Sequence, residues 1–266
     1  MSLVRPPAVA GSFYPAEPSP LAQEVRRLLA SSSPSALHPK ALIVPHAGYI
    51  YSGEIAASAY AALRGIATHI RRVVLLGPAH RVALHGLALP DAEAFDTPMG
   101  RVMLDTAAAH AIAALPQVGV SNSAHAQEHS LEVQLPFLQS VLDEFLLLPL
   151  VVGRASATEV AEVLELLWGG GETLIVISSD LSHYLPYADA RTADEATARQ
   201  ILALQALDSH EQACGAAPVN GLLLAARCHR LTPHLLDLRN SGDTAGSRDR
   251  VVGYAAFAFT EGNGHA

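Results

Sequence analysis

The stretch Leu174-Ile175-Val176-Ile177-Ser178-Ser179-Asp180-Leu181-Ser182-His183 is an apolar run that leads into a histidine. Two other stretches have the same form, Ala41-Leu42-Ile43-Val44-Pro45-His46 and Val73-Val74-Leu75-Leu76-Gly77-Pro78-Ala79-His80. Continuous apolar runs of this kind are typical of parallel strands that are buried on both faces. Open α/β sheets bind their ligands at the carboxyl ends of such strands. The pattern therefore predicts that three imidazoles meet at one edge of a sheet.

Segments typical of strands and helices alternate along all 266 residues, with no low-complexity linker and no fixed-period repeat. This alternation favours right-handed crossovers in a mostly parallel sheet. Half of the residues are apolar, which is enough for one large core. We therefore predict a single α/β domain over residues 1–266, with a mostly parallel central sheet flanked by helices.

Capping residues and apolar spacing predict where individual elements begin and end. Ser156 with Glu159 three residues later indicates a capping box at a helix start. Residues 48–53 are typical of a loop. We predict helices at Ser19–Leu29, Glu54–Leu63, Ser156–Trp168, Ala190–Leu204 and Pro218–Arg227, and a closing strand at Val251–Phe259.

Charge and composition argue against several classes of function. The formal charge is -8 and the chain has no basic cluster, so we expect neither nucleic acid nor an anionic membrane surface as a partner. Residues 1–7 contain no apolar signal segment, and the longest apolar run, Phe145–Val152, is too short to span a bilayer. We expect a cytoplasmic protein. Cys214 and Cys228 match no CxxC pair, and we expect buried thiols.

His46 and His80 are the first two predicted metal ligands, because neutral imidazole is the commonest ligand of transition metals in proteins. Asp180 lies three residues before His183, which places the carboxylate where it can orient or charge-balance that imidazole. We interpret His183 as a metal ligand or an acid/base group. The alternative is that Asp180 caps a helix and His183 faces water.

A further pair of polar residues, Glu128 and His129, precedes an amphipathic segment whose Leu131, Leu135 and Leu138 should point inward. A helix dipole would explain Glu128 but not His129. We interpret both residues as supporting or catalytic groups next to the metal.

The loop Asn240–Gly246 has the composition of an ordinary turn. Its Asp243 could nevertheless be the carboxylate that a site with two histidines lacks. Tyr49 and Tyr51 could line a substrate pocket or pack in the core. GxGxxG, GxxxxGK[ST] and GxSxG motifs do not occur in the sequence, which argues against nucleotide binding and serine hydrolysis.

Six motifs occur in an order that resembles the Memo-like family, whose prokaryotic members are called AmmeMemoRadiSam system protein B. The motifs are Ala10-Gly11-Ser12-Phe13-Tyr14-Pro15, Pro45-His46-Ala47-Gly48-Tyr49, Gly77-Pro78-Ala79-His80, Glu128-His129-Ser130-Leu131-Glu132, Ser178-Ser179-Asp180-Leu181-Ser182-His183 and Asn240-Ser241-Gly242-Asp243. The resemblance covers nearly the whole chain.

This resemblance implies the fold of class III extradiol ring-cleavage dioxygenases, which hold non-haem Fe(II) with two histidines and a carboxylate. It makes His46 and His80 the histidine ligands and His183 the imidazole that faces the metal. The third ligand does not transfer: Thr244 takes the place of the cysteine of eukaryotic Memo proteins and of the dioxygenases' glutamate, and Asp243 is the nearest strong donor. The implied cofactor is a divalent metal, with Fe(II) favoured and Zn(II) or Cu as alternatives.

Three functions follow as hypotheses. The first is an iron enzyme of the extradiol type, with Asp243 as third metal ligand, a Tyr49, Tyr51 and Thr244 pocket and His183 as the proton shuttle. The second is a zinc hydrolase with Glu128 or His183 as base. The third is a binding or adaptor protein that holds an anionic small molecule or peptide in the same pocket. The resemblance also implies radical SAM and AMMECR-type protein partners.

Overall fold

The computed structural model describes residues 3–33 and 36–262. Residues 1 and 2, part of the segment in which no signal peptide was expected, lie outside this range. In the described part the strands are, in chain order, β1 (Val4–Arg5), β2 (Pro39–Val44), β3 (Arg72–Pro78), β4 (Leu87–Leu89), β5 (Ala94–Thr97), β6 (Gly100–Met103), β7 (Val118–Val120), β8 (Leu146–Val152), β9 (Thr173–Ser178), β10 (His183–Leu185), β11 (Leu231–Asn240) and β12 (Val251–Glu261).

Helices connect most of these strands and cover the main sheet. In the same residues they are α1 (Pro18–Ser31), α2 (Tyr49–Ala61), α3 (Thr106–Ile112), α4 (Asn122–Ala126), α5 (Leu135–Val141), α6 (Ala157–Leu167), α7 (Tyr187–Leu202) and α8 (Ala216–Cys228), with short 3-10 turns at Ala67–His69, Glu132–Gln134 and Ser241–Asp243. Across the described ranges, none of the helices has both the length and the apolar character that a bilayer crossing requires.

The main sheet has the strand order β10-β12-β2-β9-β3-β8-β4-β7, and β11 also pairs with β12. Its centre, β2-β9-β3-β8, is parallel, whereas β12 pairs with β2 and β4 pairs with β8 in antiparallel fashion. The predicted α/β class is confirmed, and the parallel part is concentrated in the centre of a mixed sheet. A separate small sheet, β1-β5-β6, lies outside this path.

Two apolar layers pack against the opposite faces of the main sheet, as expected for strands without a polar face. Side chains of β2 alternate between them: Leu42 and Val44 join one layer, and Ala41 and Ile43 join the other. On the second layer α6 packs closely on α8, because a Cβ at Gly221 would lie 2.3 Å from Val160 Cγ1. A glycine is therefore needed where these two helices touch.

Most predicted elements agree with the structure, with shifts at their ends. Ser156 and Glu159 form the predicted capping box of α6. Helix α1 begins at Pro18 with Glu17 as its N-cap, so the helix start predicted at Ser19 was wrong by one residue. The expected loop at residues 48–53 was also wrong from Tyr49 onward, because those residues form the first turns of α2.

Glu132 joins the N-terminal segment to the rest of the fold. Its fully buried carboxylate accepts hydrogen bonds from Arg5 Nη1 at 2.7 Å and Tyr14 Oη at 2.6 Å. The backbone N–H groups of Ala8 and Val9 also donate to it. A buried carboxylate with this many donors is stable only as a complete network, because loss of one partner leaves the others unsatisfied.

We expect Glu132→Ala to lower the free energy of unfolding by about 3–5 kcal/mol, because it leaves the buried Arg5 guanidinium without its counter-charge. The matched control is Glu24→Ala, which breaks the exposed pair with Arg27 and should cost less than about 1 kcal/mol. Denaturant titration measures both values. Similar losses in the two variants would contradict the role given to Glu132.

His125 is a buried imidazole at the edge of the first apolar layer. Its Nε2 donates to Ala88 O at 2.8 Å, and its Nδ1 has no hydrogen-bond partner among the described residues. Burial lowers the pKa of His125 to about 4. The unfolded chain therefore takes up a proton near the ordinary histidine pKa, while the folded chain does not.

The unfolding free energy should consequently fall as pH drops through the range between the unfolded pKa, about 6.5, and the folded value. For His125 alone the loss from pH 7 to pH 5 is about 2 kcal/mol. We expect His125→Gln to show a pH slope that is smaller by about this amount, as measured by urea unfolding at both pH values. A variant slope equal to that of the wild type would show that His125 does not stay neutral in the fold.

Candidate metal centre

Three histidines meet at the carboxyl edge of the parallel strands. His46 follows β2, His80 follows β3, and His129 lies in the turn between α4 and α5. One ligand nitrogen from each ring lies within 4.8 Å of the other two. The ring centroids are 5.2 Å apart for His46 and His80, 5.4 Å for His46 and His129, and 4.7 Å for His80 and His129. Such a cluster can hold a metal ion.

Hydrogen bonds determine which nitrogen of His46 is available. The Ser178 hydroxyl donates to Ser130 O at 2.6 Å and accepts a bond from Gln134 Nε2. The Ser178 hydroxyl proton is therefore used in the bond to Ser130 O. The Ser178 oxygen can only accept in its 2.8 Å contact with His46 Nδ1, so Nδ1 must carry the hydrogen. The Nε2 lone pair of His46 is left free to coordinate an ion.

Glu128 holds one ring nitrogen of His80, as Ser178 holds one of His46. Its Oε1 lies 2.9 Å from His80 Nδ1, and its Oε2 accepts the His80 backbone N–H at 2.6 Å. The backbone N–H groups of His129 and Ser130 also donate to Oε1. Burial alone would raise the pKa of Glu128, but the hydrogen bonds and charge of His80 with these backbone donors hold it at about 2. An ionised carboxylate behind a histidine is a common support for metal ligands.

The third imidazole, His129, stacks on His80 and packs against Phe13. Its Nδ1 is buried and has no hydrogen-bond partner among the described residues, although Glu128 Oε1 lies 3.3 Å away. Burial lowers the pKa of His129 to about 4. A buried nitrogen without a partner is costly to keep unless something else binds the ring.

Two rings of the cluster, His46 and His129, are held in the neutral form. Burial holds the pKa of His46 well below its usual range, and the nearby His80, His129 and His183 lower it further. Metal ions bind the neutral form of imidazole, so no proton has to leave His46 or His129 near neutral pH. The same effect identifies His183 as a close neighbour of the cluster.

Asp180 and His183 are not arranged as the sequence predicted. Asp180 Oδ1 accepts the backbone N–H of His46 at 2.8 Å, and its Oδ2 lies 4.0 Å from His46 Nε2. The prediction that Asp180 orients His183 was wrong, because the chain enters β10 and His183 Nδ1 instead bonds Leu181 O. Burial raises the pKa of Asp180 to about 7. His183 itself is exposed.

Asp243 is outside the histidine cluster. Its two carboxylate oxygens accept bonds from Tyr187 Oη at 2.6 Å and from the backbone N–H of Asn240 at 3.0 Å. It therefore completes a capping box, and Thr244 Oγ1 donates to Ser241 O in the same turn. The structure places His129, and not Asp243, in the cluster with His46 and His80.

The two predicted pocket tyrosines differ in their surroundings. Tyr49 is buried, donates its hydroxyl to Val133 O at 2.8 Å and packs on Phe137. This is the core role that the sequence left open as an alternative. Tyr51 is partly exposed at 39 % and keeps a free face at the surface.

Cys214 lies next to the cluster, although nothing in the sequence pattern connects it with the histidines. Its Sγ is 3.4 Å from His46 Nε2, and the backbone N–H of Asp180 donates to it at 3.3 Å. Burial raises the pKa of the Cys214 thiol to about 12. The expectation of two buried thiols was wrong for Cys228, which is exposed.

Comparison with known proteins agrees with this arrangement of motifs. The family model described as Memo-like protein matches residues 5–258. The chain belongs to the Memo-like family. It is 37% identical over 271 residues to a MEMO1 family protein of Aquifex aeolicus, covering 96% of this chain and 99% of that protein. A MEMO1 family protein of Methanosarcina barkeri is 34% identical, with 95% and 98% covered.

A MEMO1 family protein of Archaeoglobus fulgidus is likewise 34% identical, with 96% of this chain and 99% of that protein covered. Among solved structures, the uncharacterized protein JW3007 from Escherichia coli K12 superposes with a TM-score of 0.52 at 12% identity. The superposition covers 82% of this chain and 98% of the other. At that identity the likeness supports the Memo-like chain's α/β fold alone.

Glu128→Gln should weaken metal binding about 10- to 100-fold, because the amide can no longer hold His80 as a carboxylate does. Isothermal titration with Zn(II) or Co(II) measures the change. Glu165→Gln is the control: it removes an exposed carboxylate from the half-buried His229, far from the cluster in the chain. An affinity unchanged by Glu128→Gln would show that this carboxylate does not support the site.

Proposed function

We propose that this protein binds one divalent transition-metal ion on His46, His80 and His129 and is a non-haem iron redox enzyme of the extradiol type. The observation that supports the metal site is the approach of three ligand nitrogens to within 4.8 Å. Three protein ligands leave further coordination positions for a substrate. The iron and the reaction come from the resemblance to the dioxygenases.

The residues present fit such an ion. The lone pairs of His46 and His80 are free because Ser178 and Glu128 hold the opposite nitrogens. His129 contributes a ring whose buried Nδ1 lacks a partner in the described chain. Bound Fe(II) would supply the capacity to activate O2 together with an organic substrate.

The chain's own groups supply positioning and proton transfer. His183 is exposed and lies close enough to His46 to lower the pKa of that ring, and close enough to His80 for its own pKa to be lowered by burial and by His80. It can therefore exchange a proton with water on one side and with a bound substrate on the other. Asp180 holds the His46 backbone and leaves an oxygen 4.0 Å from its Nε2.

A zinc hydrolase is the second candidate, and one observation favours it. The cluster contains three imidazoles and no carboxylate, which is the ligand set of some catalytic zinc sites. In that case a water on the metal would be the nucleophile, and His183 is the exposed group able to take its proton. Glu128 is already committed to four donors and is poorly placed as a base.

The burial of His46 and His129 argues against the third function, an anion-binding pocket. Cationic imidazoles hold phosphate or carboxylate most strongly, whereas burial lowers the pKa of both of these rings. The radical SAM and AMMECR-type partners stay predictions of the resemblance.

Metal analysis tests the site. We expect anaerobically prepared protein to take up about one Fe(II) or Zn(II) per chain. The metal affinity should fall in each of His46→Ala, His80→Ala and His129→Ala by more than the roughly 100-fold that loss of a supporting residue behind a ligand can cost. His69→Ala, at an exposed position of a 3-10 turn, is the control. Asp243→Ala should bind normally. If Asp243→Ala lost the ion and His129→Ala kept it, the ligand set proposed above would be wrong.

Oxygen dependence separates the two reactions. Fe(II)-loaded protein should consume O2 with catechol-type substrates, and His183→Ala should reduce that rate without reducing the iron content. Hydrolysis of esters or amides that continues without O2 in the Zn(II)-loaded protein would instead support the second candidate.

A further inference from the structure

We propose that Cys214 is a fourth ligand of the metal ion, bound through its thiolate on the His46 side of the three-histidine cluster. The proposal rests on the metal site proposed above and adds a sulfur donor to it. It makes the site a mixed nitrogen and sulfur centre, in which a six-coordinate iron would keep two positions open, whereas a four-coordinate zinc site would be closed.

The distance between the sulfur and the nearest ligand nitrogen is the first support. Cys214 Sγ lies 3.4 Å from His46 Nε2. Two ligands of a tetrahedral ion, with metal–nitrogen and metal–sulfur bonds of about 2.0 and 2.3 Å, are separated by about 3.5 Å. The thiol and the imidazole are thus already spaced as two ligands of one ion.

The direction of the His46 lone pair is the second support. Ser178 forces the hydrogen of His46 onto Nδ1, so Nε2 presents a lone pair on the side where Cys214 lies. In the metal-free protein the Cys214 S–H donates to this nitrogen. An ion that binds Nε2 takes the place of that hydrogen and lies between the two atoms.

The cluster provides the independent evidence that an ion belongs here. The nitrogens of His46, His80 and His129 converge without help from the sulfur. Cys214 does not belong to the group of atoms within 4.8 Å of one another, so it adjoins the cluster through His46. Bringing all four donors into one shell requires the Cys214 side chain to move towards the rest of the cluster.

Burial disfavours a free Cys214 thiolate, and a bound cation together with one backbone donor would offset that cost. The N–H of Asp180 donates to Sγ at 3.3 Å, and donors of this kind stabilise negative charge on sulfur. The residue precedes α8, whose N-cap Gly215 is held by a bond from its N–H to Ser179 Oγ at 2.9 Å. Ser179 and Asp180, which contact this segment, both belong to the loop that follows β9.

An open cavity adjoins Cys214. Cys214 lines an open cavity of about 440 Å³ together with Pro78 and Ala79, which lead to His80. On binding, the metal–sulfur bond forms and the S–H bond breaks, and the proton leaves to water through this opening. No electrons are transferred in this step.

Cobalt spectroscopy tests the proposal. Co(II) added to the full chain under anaerobic conditions should produce an intense near-ultraviolet thiolate-to-metal absorption. Cys214→Ser should lose that band and bind Co(II) at least tenfold more weakly. Cys228→Ser is the matched control, since this thiol is exposed at the end of α8, and it should keep both the band and the affinity.

Alkylation provides a second measurement on the wild type, which avoids any folding defect of the variant. Zn(II) should slow the reaction of Cys214 with iodoacetamide at least tenfold, as read by peptide mass spectrometry, and should leave Cys228 unchanged. Co(II) binding without the absorption band, or equal alkylation of Cys214 with and without Zn(II), would overturn the sulfur ligand and leave the metal site intact. A chain that binds no Co(II) or Zn(II) would overturn the proposed function itself.

Discussion

Parallel pairing of three strands is the constraint on which the site depends. Val44 of β2 lies opposite Ser178 of β9, and Leu76 of β3 lies opposite Ile177. All three strands therefore end at one level, and the polar residues that follow them must leave the sheet at the same edge. His46 and His80 lie close together because each follows a strand that ends at this edge.

A second layer of hydrogen bonds decides what the converged rings can do. Ser178 and Glu128 hold one nitrogen each of His46 and His80, so the free lone pairs belong to the opposite atoms. Desolvation keeps His46 and His129 neutral. His46 is buried and His129 is half-buried, and neutral imidazoles of this kind favour a cation with vacant orbitals over an anion.

Residues next to strands were predictable, and residues brought in by turns were less so. His46 and His80 follow apolar runs whose strand character is plain in the sequence, and the capping box of α6 is a local signal. His129 comes from a turn between two short helices, so no periodicity indicates its direction. Asp243 was predicted as a carboxylate ligand from its position in the sequence. Spacing along the chain does not indicate that the Tyr187 hydroxyl donates a hydrogen bond to it.

The sequence by itself determined the α/β class, the strands that carry His46 and His80, and membership of the Memo-like family, because hydrophobic period and motif order are local properties of a chain. Only the tertiary structure decided that His129 completes the cluster and that the Asp180 carboxylate accepts the backbone N–H of His46. It also decided that Cys214 lies beside His46, 168 positions away. Contacts between such distant residues arise from packing, which a linear pattern does not encode.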